Sequence, residues 1–197
     1  NFMGVSAKYI DALSKENINV IGKYKLKNLE TIGSTGSPLI HESFDYIYSY
    51  IKKDVSVASL SGGTDIVGCF IGGNPMEVVR RGEIQGPILG MDVHVYDDNA
   101  KSLKNEKGEL VCIKSFPSMP LYFWNDNNNE KYHDAYFNKY KNVWCHGDYI
   151  LKTENNGFII FGRSDATLNP GGVRIGTAEI YRQVEQIKEV LEGLVIG

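Results

Sequence analysis

Cysteine is scarce in this chain, and what there is does not pair. The three cysteines (Cys69, Cys112, Cys145) are odd in number and far apart. That spacing argues against a disulfide framework and against a zinc site, and suits reduced thiols in the cytoplasm. Concentrated positive charge is missing too. The net charge is −3, and Lys52-Lys53 and Arg80-Arg81 are pairs rather than patches, so no nucleic-acid surface is expected. No apolar run approaches the length that crosses a bilayer, so membrane insertion is not expected. Asn1-Phe2-Met3-Gly4 has no basic region followed by an apolar stretch and is not a secretory signal. It has no initiator methionine either, and the chain is expected to begin inside a longer one. Repeats and low-complexity tracts are also lacking. What remains is 42% hydrophobic and 23% charged over 197 residues, the composition and length expected of one packed domain and the start of another.

Hydrophobic spacing divides the chain in two. Ser6 opens a helix over 6–16 with Tyr9, Ile10 and Leu13 on one side. Residues 29–32 read as a short buried strand, followed by the turn Gly33-Ser34-Thr35-Gly36. Ser37 then suits an N-cap and Pro38 a first helical residue. Ile40, Phe44, Ile47 and Ile51 follow at helical spacing, and Lys52-Lys53 suits the negative end of the dipole. Residues 55–60 form a second apolar strand. Strands joined by helical crossovers predict a parallel sheet in an α/β layer.

From about residue 68 the pattern becomes strand after strand. Met91, Val93 and Val95 alternate with Asp92, His94 and Tyr96 before the turn Asp97-Asp98-Asn99, and 109–114, 149–152 and 158–161 continue in that style. The expectation for about 68–163 is a small antiparallel, barrel-like subdomain. Within it, 125–130 reads as a polar loop and 132–140 as a short helix. A further helix starts at Thr177, with Ile180, Val184, Ile187 and Leu191 facing one way. The few residues beyond it cannot bury a core alone, so 164–197 reads as the opening of a second, α+β domain.

The most informative run is Gly162-Arg163-Ser164-Asp165-Ala166-Thr167-Leu168-Asn169-Pro170-Gly171-Gly172-Val173-Arg174-Ile175-Gly176-Thr177-Ala178-Glu179. Two arginines and an aspartate sit there among residues that free the backbone. By composition alone a solvated surface loop explains it equally well. A second constellation is Ser61-Gly62-Gly63-Thr64-Asp65, directly after an apolar strand. Glycines there let backbone N–H groups approach a phosphate, the threonine adds a donor, and the carboxylate can hold Mg²⁺; a plain glycine turn is the blander alternative. Gly36-Ser37-Pro38 ends the preceding strand, where a turn with a helix cap is explanation enough. A third feature is Asp148 in Trp144-Cys145-His146-Gly147-Asp148. Glu154-Asn155-Asn156-Gly157 is a hairpin signal. A turn centred on Asn155-Asn156 sets Asp148 opposite Arg163. One centred on Asn156-Gly157 sets it opposite Asp165, with Arg163 on the diagonal. Either register brings carboxylate and guanidinium to one edge, as a ribose site or as a simple cross-strand ion pair.

Taken together, these motifs resemble the AMP-forming acyl-CoA synthetases over essentially the whole chain. The wording from Leu168 to Glu179 is most similar to the acetoacetate-activating branch. The resemblance implies that 1–163 is the later part of a large adenylate-forming domain and that 164–197 is the hinge and the beginning of the small domain, which turns about Asp165. It implies that Ser61, Gly62, Gly63 and Thr64 meet the α-phosphate, Asp65 the metal, and Gly36, Ser37 and Pro38 the adenine. Asp148 and Arg163 are implied for the ribose, Arg174 for the phosphate and thiol route, and Gly172 for the passage of pantetheine. Thr64 and Arg174 are the implied catalytic residues. The substrates would be ATP with Mg²⁺, a short carboxylic acid and coenzyme A.

Two departures bear on this. Asp65 stands where the family carries the longer glutamate. Acetate-specific relatives have tryptophans where this chain has Ser61 and Gly62, which predicts room for a longer acyl chain such as acetoacetate. The family's phosphate loop with its lysine and its adenylation lysine are not found in these residues, and Lys188 is no substitute. The chain is therefore expected to be an internal piece with little activity by itself. A nucleotide-binding module without turnover and a β-rich interaction domain are the alternatives. The latter requires Asp148, Arg163 and Thr64 to lie far apart.

Overall fold

A computed structural model describes every residue except 169, 171–173, 185, 186, 188, 191, 192, 196 and 197. The first element is a strand that the sequence pattern does not announce, β1 (Phe2–Ser6). Ser6 ends it and caps α1 (Ala7–Lys15), its Oγ accepting from the Tyr9 amide at 3.1 Å. Ile10 is wholly buried whereas Tyr9 is 45% exposed, so the inward face of this helix is narrower than its apolar residues suggest. The chain returns as β2 (Thr31–Thr35) and again as β3 (Ser56–Ser59). All pairings are parallel, in the order β1-β2-β3, as helical crossovers require.

The second crossover corrects one expectation. Ser37 does not cap a helix and Pro38 is not its first residue. The helix α2 runs His41–Tyr46, with Ile40 extended at the cap position (φ −77, ψ 162) and no side-chain cap. An extended segment ahead of it lets Leu39, 4% exposed, turn into the core. It also leaves Gly36-Ser37-Pro38 free to line a groove. A π-helical turn, Ile47–Ile51, ends the crossover with both isoleucines buried, so the periodic apolar face survives the change of helix type.

The remainder is antiparallel. Strands β4 (Ser61–Gly63), β5 (Gly68–Gly72) and β6 (Gly86–Pro87) form one small sheet. Strands β7 (Val93–Tyr96), β8 (Lys107–Cys112), β9 (Trp144–Lys152) and β10 (Phe158–Arg163) form another, in the order β10-β9-β8-β7. They do not close into the expected barrel. The glycine-rich β4 and the two-residue β6 are too short to pair around a circle, and the sheets meet through the isolated bridge Ile84↔Phe158. Helix α3 (Glu130–Tyr136) starts earlier and stops sooner than the 132–140 pattern, because Phe137 leaves helical geometry (φ −122, ψ 0). Helix α4 (Thr177–Val184) starts where expected and lies against β10.

Two apolar cores follow this division. One joins Ile10, Ile32, Phe44, Ile47 and Val57 beneath the parallel sheet. The other joins Phe70, Phe116, Tyr136, Trp144 and Phe158 between the antiparallel sheets. Tyr136 stacks on Trp144 with centroids 3.7 Å apart, and Phe70 meets Phe116 edge-on at 5.2 Å. Emptying the centre of this second core should be costly. Phe70→Ala is expected to lower unfolding stability by about 3–5 kcal/mol, read from the urea midpoint; a loss below about 1 kcal/mol would show that the aromatic cluster is not the core.

Candidate functional site

The parallel and antiparallel halves meet where β3 hands over to β4. The amide of Leu60 still donates to Ser34 O at 2.8 Å, and one residue later the chain has joined the other sheet. Ligands in parallel α/β layers bind beyond the carboxyl ends of the strands, and here those ends, Thr35 and Ser59, open onto a cavity of about 750 Å³. Its lining gathers Gly36, Ser37 and Pro38, the run Ser61, Gly62, Gly63, Thr64 and Asp65, and then Asp148 and Arg163. These segments are far apart in sequence, and the fold brings them together. A β-rich interaction domain with these residues scattered is thereby excluded.

The hairpin that delivers Asp148 and Arg163 reaches the first predicted register, Asp148 opposite Arg163, by way of an irregularity that neither predicted register contains. Near the turn Phe158 pairs with Lys152 and Ile160 with Ile150. A bulge between Ile160 and Gly162 then shifts the ladder by one residue, so that Gly162 faces Tyr149 and Arg163 faces Asp148. Bulges re-aim side chains at sites of this kind.

Asp148 is 8% exposed. Its Oδ2 accepts from Ser61 Oγ at 2.9 Å, and its Oδ1 lies 3.4 Å from Arg163 Nη1. The arginine is half exposed and divides itself: Nη1 also donates to His146 O at 2.8 Å, and Nε lies 3.5 Å from Asp165 Oδ1. An ion pair so open to water contributes little on its own. The buried hydroxyl–carboxylate bond is the firmer tie. A carboxylate has about four acceptor positions, so two remain for a ligand.

Thr64 and Asp65 are exposed on a short 3₁₀ turn, Thr64–Ile66, at the end of β4. Asp65 is held from behind by Tyr136, whose hydroxyl donates to Oδ2. Burial, and then the hydrogen bond to Asp65, push the Tyr136 hydroxyl well above the usual tyrosine range. Gly62 is a close approach: a Cβ there would fall 2.0 Å from Gly68 O and 2.5 Å from Cys69 Cα. A side chain at 62 would therefore meet the β5 backbone before it could occupy the cavity.

Two assigned residues lie outside the cavity lining. Arg174 donates to Asp98 Oδ2 at 3.0 Å, outside the cavity lining, and Asp98 raises its pKa further. Asp98 in turn holds Lys139 at 3.1 Å. Asp165 is exposed beside Arg163. Gly172 falls outside the described residues. Motif reading overlooked Tyr136 and His146. The His-Gly-Asp order marks His146 as a neighbour of Asp148, but nothing in the residue pattern places Tyr136 behind Asp65.

No family model matches the chain. It is 58% identical over 194 residues to the acetoacetyl-coenzyme A synthetase of Rhizobium meliloti (strain 1021), and 46% identical over 195 residues to the acetoacetyl-CoA synthetase of Gallus gallus. Both alignments take in 98% of this chain, and the chain spans about 30% of the length of these relatives. Among solved structures, acetoacetyl-CoA synthetase from Streptomyces lividans is 42% identical and superposes with a TM-score of 0.91, covering 100% of this chain and 30% of that one. An anthranilate CoA ligase in complex with anthranoyl-AMP, 19% identical, shares the fold at a TM-score of 0.77 over 94% of this chain and 34% of its own.

The packing around β4 makes a direct prediction. Gly62→Ala should destabilise by about 1–3 kcal/mol through overpacking against β5. Ser61→Ala should cost a similar amount, about 1–3 kcal/mol, by leaving the buried Asp148 oxygen short of a donor. Both are read from thermal or urea unfolding, and neutral behaviour in both would contradict the described junction.

Proposed function

We propose that this chain, homologous to a segment of the acetoacetyl-CoA synthetases, forms the nucleotide-gripping part of an acid–thiol ligase. Such a ligase would activate acetoacetate with ATP as the acyl-adenylate and pass the acyl group to the thiol of coenzyme A. The observation that carries this reading is the convergence of Gly36, Ser37, Pro38, Ser61, Gly62, Gly63, Thr64, Asp65, Asp148 and Arg163 on one cavity.

The division of labour follows from chemistry. Asp148, already fixed by Ser61, has acceptor capacity left for the two hydroxyls of a ribose. Arg163 beside it keeps the carboxylate compensated and offers donors at the cavity edge. The chain bends at Gly36, which sits at φ +85°, and Gly36, Ser37 and Pro38 line the cavity where they would form one wall for the base. The glycines of β4 and the Thr64 hydroxyl provide donors for the α-phosphate, where charge must be neutralised as the acyl carbonyl is attacked. Among the described residues no cluster of three His, Cys, Asp or Glu side chains could hold a metal by itself. Asp65 instead suits a Mg²⁺ that arrives on the phosphates, since that ion takes one or two carboxylates together with phosphate oxygens. When bound, the ion would withdraw charge from those oxygens. Arg174, paired with Asp98 in this arrangement, would act on the phosphate only after the segment after Asp165 swings. Gly172 is assigned to the pantetheine route on the resemblance of its surroundings.

The test is substitution at the carboxylate. In a synthetase containing this chain, Asp148→Asn is expected to raise the KM for ATP roughly tenfold to hundredfold, the equivalent of losing charge-assisted hydrogen bonds of about 1.5–3 kcal/mol. The measurement is acetoacetate-dependent pyrophosphate release. An unchanged KM would remove Asp148 from the nucleotide site. Release independent of acetoacetate would overturn the ligase reading.

A further inference from the structure

His146 plays no part in the assignment above, yet its ring is the wall between two cavities. One is the groove just described. The other, of about 440 Å³, is bounded by Asp65, Tyr136, Lys139 and Cys145. The imidazole is 9% exposed. Its Nε2 lies 3.1 Å from Gly62 O, and because a carbonyl only accepts, that nitrogen carries the hydrogen and donates. The same nitrogen is 4.0 Å from Asp148 Oδ2, and Phe70 braces the ring edge-on at 4.8 Å. Among the described residues Nδ1 is buried without a partner, and the bond to Gly62 is the ring's one close polar tie. The contact is tight on the other side as well, since a Cβ at Gly63 would come within 3.0 Å of His146 Cε1.

These contacts close a circuit. Ser61 holds Asp148, Asp148 meets Arg163, Arg163 holds the backbone of His146, and the ring of His146 returns to Gly62. The geometry points to His146 as a positioning residue that sets the phosphate-facing run Gly62-Gly63-Thr64 relative to the ribose-facing carboxylate of Asp148. This rests on the nucleotide reading and goes beyond it, because it makes the two grips interdependent through one side chain. A ligand that uses both grips is then sensitive to His146, and a ligand that uses only the ribose grip is not.

Adenosine and AMP are the two probes, titrated calorimetrically into the 197-residue chain and its variants. His146→Phe keeps the ring and its contact with Phe70 but removes the donor. It is expected to weaken AMP about tenfold, the worth of one hydrogen bond, while changing adenosine by no more than about twofold. His146→Gln, which can again donate to Gly62 O, should recover most of the AMP affinity. A purely structural role would weaken both ligands alike and would not be rescued, and either result overturns the proposal. If His146→Phe fails to fold, His146→Leu removes the same donor with a smaller side chain, and the same selective loss of AMP is expected. Equal losses, or none, would overturn it. Wild-type chain that binds neither ligand overturns the nucleotide reading itself, whereas wild-type binding with an unchanged AMP-to-adenosine ratio in the variants overturns only the role of His146.

Discussion

A carboxylate taken out of water has to be satisfied by the protein around it, and Asp148 meets that demand where the two sheet systems join. Its buried oxygen accepts from Ser61 on β4, and its other oxygen faces Arg163 on β10. Removing a partner from a buried charge costs more than the bond is worth in water, so the position of β4 relative to the β9–β10 hairpin is not free to drift. The cavity between them inherits that constraint. Its walls come from the carboxyl ends of a parallel sheet on one side and from an antiparallel hairpin on the other. Such a seam is where small-molecule sites are usually built.

The remaining features of the site depend on this seam. The bulge between Ile160 and Gly162 puts Arg163 opposite Asp148; without it the guanidinium would slide off the carboxylate by one position. Behind Asp65, the stack of Tyr136 on Trp144 fixes a phenol whose hydroxyl holds the carboxylate. The aromatic core thus reaches the exposed acid through one side chain. On the opposite flank, the chain Arg174–Asp98–Lys139–Glu109 ties the segment after Asp165 to the larger sheet. Hydrogen bonding to Glu109 and Asp98 raises the Lys139 pKa despite burial, which acts the other way. The cation therefore persists throughout the neutral range and keeps this flank clamped.

Much of this was legible in the residues. The alternation at Val93 and Val95, the parallel layer, the Ser6 cap, the start of α4 and the hairpin at Asn155-Asn156 follow from local patterns, because local pattern decides them. That the segments lining the cavity are distinctive was legible too, as motif wording. What the pattern could not show is what tertiary contacts decide. Strand β1 is short and its outer residue Phe2 is 64% exposed, so periodicity had nothing to register. Ser37-Pro38 reads as a helix start until Leu39 is seen to need the core. The barrel failed because β4 and β6 are limited by glycine and proline rather than by apolar pattern. The direction of a side chain at Gly62, and the partners of Tyr136 and His146, are set by elements many residues away.

The central claim is that three chain-distant segments grip one nucleotide. Amide chemical-shift mapping of the 197-residue chain during titration with AMP addresses it most directly. The account predicts saturable shifts concentrated at Gly36 and Ser37, at Ser61, Gly62, Gly63, Thr64 and Asp65, and at Asp148 and Arg163, all reporting one dissociation constant. Shifts confined to another face of the molecule, or separate constants for the three segments, would contradict it.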